Sequence, residues 1–150
     1  MLELNSRDLS HRLRIINDNA IRLADFLRRH PAVDSVFYPN LTAGSSYERL
    51  KSPDGGGGGL LSIVLKQPES TTPAVFDALD VCKGPNLGTN FTLCCPYTLL
   101  AHYQELDFAE QCGVSRWLLR ISVGTEPYDV LQRGLVKPFA GLRRATESAG

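Results

Sequence analysis

The first thirty residues carry a helical pattern of apolar positions. These positions recur at steps of four, three, four, three and four, at Leu9, Leu13, Ile16, Ala20, Leu23 and Leu27. This spacing places them on one face of a helix. Asn5 or Ser6 can cap its start, and Asp8 in the first turn suits the helix dipole. The helix is predicted to end at His30, because the residue before a proline (here Pro31) avoids the helical region.

The rest of the chain alternates short apolar runs with weaker helical patterns. Strands are predicted at 33–38, 60–65 and 117–123, with shorter candidates at 81–82 and 91–95. Helices are predicted at 71–80, at 99–110 with local breaks, and at 128–142, where Gly134 and Pro138 interrupt the pattern. This order predicts an α+β domain with a mainly antiparallel sheet and helices on one face.

Five consecutive glycines at 55–59 precede the second predicted strand. A phosphate-binding loop needs a lysine and a hydroxyl residue at the start of a following helix. Here Leu60 begins an apolar run that predicts a strand instead. We therefore expect the glycines to form a flexible lead-in to that strand.

Composition excludes several classes of protein. The 16 basic and 16 acidic side chains cancel, so the charge expected of a general nucleic-acid binder is missing. No run of about 18 apolar residues predicts a membrane span, and the N-terminus does not resemble a signal peptide. The four cysteines, Cys82, Cys94, Cys95 and Cys112, lack the spacing of a zinc site. They are interpreted as free, buried thiols in a reducing cytoplasm.

The strand at 117–123 contains an arginine among apolar residues. Strand alternation puts Trp117, Leu119, Ile121 and Val123 on one face, and Leu118, Arg120 and Ser122 on the other. Burying a guanidinium is costly unless it is paired. Arg120 is therefore either half of an internal ion pair or a fork that binds a carboxylate or phosphate ligand. No histidine has a serine or cysteine partner at motif spacing, so a hydrolase is not indicated.

Five segments together resemble a known family. They are NSRD at 5–8, GGLLSIVL at 58–65, NLGTNFTL at 86–93, PYTLLAH at 96–102 and LLRISVGTE at 118–126. In this order they resemble the C-terminal domain of the Cys/Met-metabolism enzymes that use pyridoxal phosphate, most closely the fungal cystathionine γ-synthases. The resemblance implies the small C-terminal domain of a fold-type I aminotransferase-like enzyme. It assigns 1–142 to a substrate-binding domain that begins in the interdomain helix, and 143–150 to a disordered tail.

The resemblance also implies roles for individual residues. Arg120 matches the family's arginine that holds the substrate α-carboxylate. Asn86 matches a serine near the cofactor and the substrate, and it keeps a polar group without the hydroxyl. The family attaches pyridoxal 5'-phosphate to a lysine of a large domain that is expected to be absent here. The four lysines, Lys51, Lys66, Lys83 and Lys137, do not match the attachment motif. No catalytic residue is therefore expected in this chain, and the chain alone is expected to be inactive.

Three functions remain open. The first is the C-terminal domain of a cystathionine γ-synthase-like enzyme, in which cysteine replaces the γ-substituent of an activated homoserine ester. Its partners would be the amino-acid substrate and the large cofactor domain or homologous subunits of a homo-oligomer. The alternative is a stand-alone non-catalytic domain that binds a partner or a full-length homologue. A third is a sensor that binds a carboxylate through Arg120. The sequence leaves γ-replacement, sulfhydrylation and elimination undistinguished.

Overall fold

The computed structural model of the chain describes residues 3, 6–42 and 44–140. Its helices and strands follow in the order α1 (Leu9–Arg29), β1 (Val33–Phe37), α2 (Pro39–Thr42), α3 (Gly44–Leu50), β2 (Leu60–Leu65), α4 (Pro68–Ala78), β3 (Cys82–Lys83), β4 (Leu93–Pro96), α5 (Tyr97–Ala101), α6 (Leu106–Gln111), β5 (Leu119–Ser122) and α7 (Tyr128–Ala140), with a 3-10 helix at Tyr103–Glu105. The candidate cap Asn5 and the predicted tail at 143–150 lie outside the described residues.

The strands form one five-stranded sheet in the order β1-β2-β5-β4-β3. The pairs β1–β2, β2–β5 and β4–β5 are antiparallel, and only the short edge strand β3 runs parallel to its neighbour β4. The predicted α+β class with a mainly antiparallel sheet is therefore confirmed. Strand β5 lies in the centre, so the residues of its two faces meet different layers of the molecule.

Helices α1, α4 and α7 pack against one face of the sheet. The core joins the inward residues of β2, β4 and β5 to those of the three helices, among them Leu23, Leu27, Leu61, Ile63, Val75, Cys94, Leu119, Ile121, Leu131, Leu135 and Phe139. The predicted apolar face of α1 is buried only from Ile16 onward. Leu9 and Leu13 are 45% and 46% exposed, because the first two turns of α1 extend beyond the core.

Several boundaries differ from the prediction. The polar stretch after β1 contains α2 and α3, which the sequence pattern missed because neither presents an apolar face. The amide groups of Leu41 and Thr42 both donate to the Tyr38 carbonyl, which closes the turn of α2. Helix α7 continues through Gly134, where a Cβ would lie 2.6 Å from the Asp80 carbonyl oxygen. That glycine allows a close approach and does not end the helix.

The glycine run at 55–59 is fixed by contacts, which corrects the expectation of a flexible lead-in. Gly58 donates its amide hydrogen to the Asn17 Oδ1 atom at 2.7 Å, and its carbonyl accepts from the Tyr38 hydroxyl at 3.0 Å. A Cβ on Gly57 would lie 2.5 Å from Cζ of the Tyr38 ring. The glycines therefore let the backbone pack directly against α1 and the end of β1.

No helix within 3, 6–42 and 44–140 is long and apolar enough to cross a membrane.

Candidate functional site

Strand β5 places Arg120 on the sheet face opposite the three core helices. Its neighbours Leu119 and Ile121 point into the core, so alternation turns Arg120 outward. In the sheet register it lies between Ser62 of β2 and Cys95 of β4. The residues on both sides belong to paired central strands, so the Arg120 backbone is held rigidly.

Neutral groups contact the Arg120 guanidinium. One of its NH2 groups donates a hydrogen bond to the Pro85 carbonyl, and its central carbon lies 4.7 Å from the centroid of the Tyr97 ring. None of the ion pairs formed within 3, 6–42 and 44–140 includes Arg120. The internal ion pair left open by the sequence is therefore not formed by the described residues. An uncompensated guanidinium on a half-buried surface suits an anionic ligand.

Tyr97 is itself held in place from two directions. Its amide group donates to the Leu118 carbonyl at 3.0 Å, which extends the pairing of β4 and β5 by one residue. Its ring meets the His102 ring at 5.8 Å in an edge-on arrangement. His102 in turn contacts Glu105, with Nδ1 2.6 Å from Oε1.

The loop that joins β3 to β4 packs against side chains of β5. Arg120 contacts this loop at Pro85, and the Ser122 hydroxyl accepts from the Gly88 amide at 3.2 Å. Asn86 is exposed and lies between these two attachment points. Of the two predicted site residues, Arg120 therefore contacts the loop that carries Asn86, at the residue directly before it.

Glu126 anchors the end of the same loop. Its carboxylate accepts two hydrogen bonds from Thr92, one from the backbone amide and one from the hydroxyl at 3.0 Å. The Thr92 hydroxyl also accepts from the Gly124 amide at 3.0 Å. Asn19 of α1 donates to the carbonyls of Gly124 and Glu126 at 3.2 and 2.9 Å. This polar network fixes the loop to both the sheet and α1.

The thiols near the site are held in the neutral form. Burial raises the pKa of the Cys94 thiol to about 12. Burial also raises the pKa of Cys95, although the Arg120 guanidinium opposes part of that rise. Neutral thiols are poor nucleophiles. All four cysteines are free, as expected, but only Cys94 and Cys95 are buried, whereas Cys82 and Cys112 are exposed.

The side chains of three of the four lysines lie in the described part, where two are held by contacts and one is exposed. Lys51 pairs with Glu48 at 2.9 Å, Lys66 is exposed, and the ammonium group of Lys83 donates to the Asp77 carbonyl at 2.9 Å. The side chain of Lys137 lies outside the described part. An open cleft of about 390 Å³ is lined by Asp80, Val81, Cys82, Thr92, Glu126, Val130 and Leu131, without a lysine or arginine. Carboxylates in that lining oppose a phosphate group. Among the described residues no group of acidic, histidine or cysteine side chains could hold a metal ion.

Residues 6–140 match the family described as Cys/Met metabolism PLP-dependent enzymes. The chain belongs to this family. It is 51% identical to the cystathionine gamma-synthase of Neurospora crassa over 131 residues, which covers 87% of this chain and 21% of that protein. It is 43% identical to the cystathionine gamma-synthase-like enzyme iboG2 of Amanita muscaria over an alignment of 170 residues, which covers 99% of this chain and 26% of that protein.

The fold is similar to that of solved members of the family. The cystathionine gamma synthase of Xanthomonas oryzae pv. oryzae in complex with cystathionine matches with a TM-score of 0.79 and 27% identity, and the match covers 89% of this chain and 35% of that one. The family resemblance seen in the sequence is thereby confirmed. The chain spans between a fifth and about a third of the length of these proteins.

Sequence reasoning did not identify Tyr97, Thr92 or Glu126 as part of the site. All three lie within or beside the segments that carry the family resemblance. Their roles depend on the register of β4 against β5 and on a turn of the chain after β3. An acidic residue in the turn after the arginine strand, here Glu126, was the available signal.

Proposed function

We propose that this chain provides the substrate-carboxylate site of a cystathionine γ-synthase-like enzyme of the Cys/Met family. In this proposal Arg120 binds the α-carboxylate of the amino-acid substrate through its guanidinium fork. The reaction is the replacement of the γ-substituent of an activated homoserine ester by cysteine, in the cytoplasm. Pyridoxal phosphate supplies the stabilisation of negative charge on the substrate carbons, and the residues that hold it belong to a large cofactor domain or to homologous subunits.

The observation that carries this proposal is the environment of Arg120. Its guanidinium contacts a carbonyl and an aromatic ring, both of which leave its positive charge in place. A structural arginine at this depth would be expected to face a carboxylate of the protein. Because the described residues supply no such partner, the position suits a carboxylate of the substrate. A planar fork on a rigid strand also orients a carboxylate better than a lysine would.

Asn86 is proposed to line the same site. It lies directly after Pro85, whose carbonyl binds Arg120, and before Gly88, which is bound to Ser122. The amide can donate to or accept from a polar group of the substrate. The proposed site then offers the substrate one charged and one neutral polar contact.

A specific observation keeps a second function open, namely a non-catalytic domain that binds a protein partner. Leu9 and Leu13 are nearly half exposed, and they lie one helical turn apart on α1. Phe91, in the loop before β4, is 48% exposed. Arg12 donates to the Asn90 side chain at 3.0 Å, so the start of α1 lies beside that loop. Exposed apolar residues of this kind are typical of a surface that a partner covers.

Ligand binding by the chain itself tests the carboxylate site. L-cystathionine is titrated into the isotope-labelled chain at constant ionic strength. Backbone amide signals measured by NMR give the affinity in every variant, and the Nε–Hε signal of Arg120 is followed where that residue is present. We expect a saturable shift in the wild type and in Arg116→Ala, which removes an arginine paired with Glu110 and Asp107 away from the site. In Arg120→Ala we expect affinity to fall about 10- to 100-fold, the range for lost hydrogen bonds to a charged group.

Equal binding by Arg120→Ala and the wild type would overturn the proposal. A parallel assay with added pyridoxal phosphate, an activated homoserine ester and cysteine should show no cystathionine from the chain alone. Product formation there would contradict the proposal that other parts of the enzyme hold the cofactor.

A further inference from the structure

We propose that Tyr97 is a positioning residue that sets the orientation of the Arg120 guanidinium for the substrate carboxylate. The inference rests on the proposed function of Arg120 and adds the residue that fixes the direction of its fork. Nothing in the sequence pattern assigned a role to Tyr97, since it lies after the predicted strand at 91–95 and before the predicted helix at 99–110.

The backbone brings the two side chains together. Cys95 lies opposite Arg120 in the pairing of β4 and β5. Tyr97 is two residues further along, so the pleat directs it toward the same sheet face as Cys95. The hydrogen bond from the Tyr97 amide to the Leu118 carbonyl fixes this position at the very end of the strand pair. Tyr97 is therefore the diagonal neighbour of Arg120.

The ring and the Pro85 carbonyl restrain the guanidinium from two sides. The separation of 4.7 Å between the guanidinium carbon and the ring centroid is within the range of a cation–π contact. A ring within cation–π distance on one side and a hydrogen bond to Pro85 on another limit the positions that the planar guanidinium can take. The N–H groups that point away from Pro85 are then presented to a ligand in a set direction. A long side chain without these restraints would have to be ordered when the ligand binds.

The Tyr97 ring has its own support. His102 meets it edge-on, with 68° between the two ring planes. Glu105 holds His102 through the contact at Nδ1. The turn that joins α5 to the 3-10 helix therefore holds the Tyr97 ring, which in turn contacts Arg120.

The test compares Tyr97→Phe with Tyr97→Leu in the complete 150-residue chain, with L-cystathionine as the probe. Phenylalanine keeps the ring face, so its affinity should stay within about twofold of the wild type. Leucine removes the ring, so affinity should fall about two- to fivefold, the range of an exposed cation–π contact. In Tyr97→Leu the Arg120 Nε–Hε signal should also lose its ring-current shift and become more mobile. The lost ring-current shift follows from removal of the ring in any case, whereas a purely structural role would leave the mobility of Arg120 and the affinity unchanged.

Wild-type affinity and unchanged Arg120 dynamics in Tyr97→Leu would overturn the inference, as would equal losses in both variants. If Tyr97→Leu fails to fold, the inference is tested in the wild type by NMR relaxation of the arginine Nε–Hε groups. The Arg120 side chain should be more ordered than that of Arg49, which is exposed on α3. Equal mobility of the two arginines would also overturn it. If Arg120→Ala loses binding and Tyr97→Leu keeps it, the role of Tyr97 is contradicted and the carboxylate site stands. If Arg120→Ala keeps binding, the carboxylate site itself is contradicted.

Discussion

Glu126 and Thr92 join the end of the central strand to the start of β4 through two hydrogen bonds, from the amide and the hydroxyl of Thr92 to the two carboxylate oxygens. The residues lie 34 positions apart in the sequence. Between Thr92 and β3 lies the loop that carries Asn86 and contacts Arg120. The position of this loop at the candidate site therefore depends on the hydrogen bonds between Glu126 and Thr92 at its end.

Replacing Glu126 by alanine should destabilise the chain. The substitution leaves the half-buried Thr92 amide without its acceptor, and such losses amount to about 1–3 kcal/mol. Urea denaturation measures the change in the free energy of unfolding. Asp129→Ala is the matched control, since its carboxylate is exposed and pairs with Arg133 one turn away. That control should stay within about 0.5 kcal/mol of the wild type. Equal stability of the two variants would contradict the anchoring role of Glu126.

Gly57→Ala should destabilise the chain because the added methyl group would overlap Tyr38. The Cβ position lies 2.5 Å from Cζ of the ring and 2.6 Å from its hydroxyl oxygen. Overpacking of this kind costs about 1–3 kcal/mol. Gly84→Ala is the control, because its Cβ would meet only the Leu93 side chain at 3.8 Å. We expect it to be neutral or stabilising by up to about 1 kcal/mol. Thermal unfolding of both variants checks the difference in stability. An unchanged stability of Gly57→Ala would instead indicate that the glycines at 55–59 are flexible.

Thiol reactivity should divide the cysteines into two pairs. Cys82 and Cys112 are exposed, so they should react with a thiol reagent in the folded chain at neutral pH. Cys94 and Cys95 are 0% and 2% exposed, and they should react only after unfolding. Mass spectrometry of the labelled peptides identifies the sites. Fast labelling of Cys94 under native conditions would show that the core next to β5 opens readily.

The raised pKa of Cys94 also predicts a loss of stability at high pH. The folded chain holds this proton up to about pH 12, whereas the unfolded chain releases it near the ordinary pKa of 9.0. Above pH 9 the folded state therefore binds more protons than the unfolded state, and the free energy of unfolding falls as pH rises toward 12. Burial raises the pKa of Tyr38 from 10.0 to about 12, so Tyr38 further lowers the free energy of unfolding above pH 10. In Cys94→Ala the decline between pH 9 and 10 should be shallower, as measured by urea denaturation at each pH.

Local patterns predicted the elements that form the centre of the sheet. The run at 60–65 coincides with β2, and alternation correctly placed Arg120 on the face opposite Leu119 and Ile121. Both follow from the period of two along a strand, which needs no knowledge of neighbouring strands. The family resemblance then gave Arg120 and Asn86 as the candidate site residues.

Contacts between distant segments were beyond the reach of those patterns. The glycine run looked flexible because its constraint comes from Tyr38 and Asn17, and the latter lies 41 residues from its partner Gly58. Tyr97 acquires its position from the register of β4 against β5, which a single sequence does not specify. Helices α2 and α3 carry no apolar periodicity, and the start of α2 is set by the turn around the Tyr38 carbonyl. The tertiary contacts therefore decide these local structures.

The stability of Arg120→Ala separates the two roles that the sequence allowed for this residue. If Arg120 were half of a buried ion pair, its removal would leave a carboxylate unpaired and cost about 3–5 kcal/mol. The structure gives it a hydrogen bond to a carbonyl and a contact with the Tyr97 ring, so we expect a smaller loss of about 0.5–1.5 kcal/mol. Arg120→Met is the control, because it keeps most of the aliphatic stem that packs beside Cys95 while removing the charge. Urea denaturation of both variants should give similar, modest losses. A loss above about 3 kcal/mol in both would instead indicate an acidic partner for Arg120, and the position would then be structural rather than a site for the substrate carboxylate.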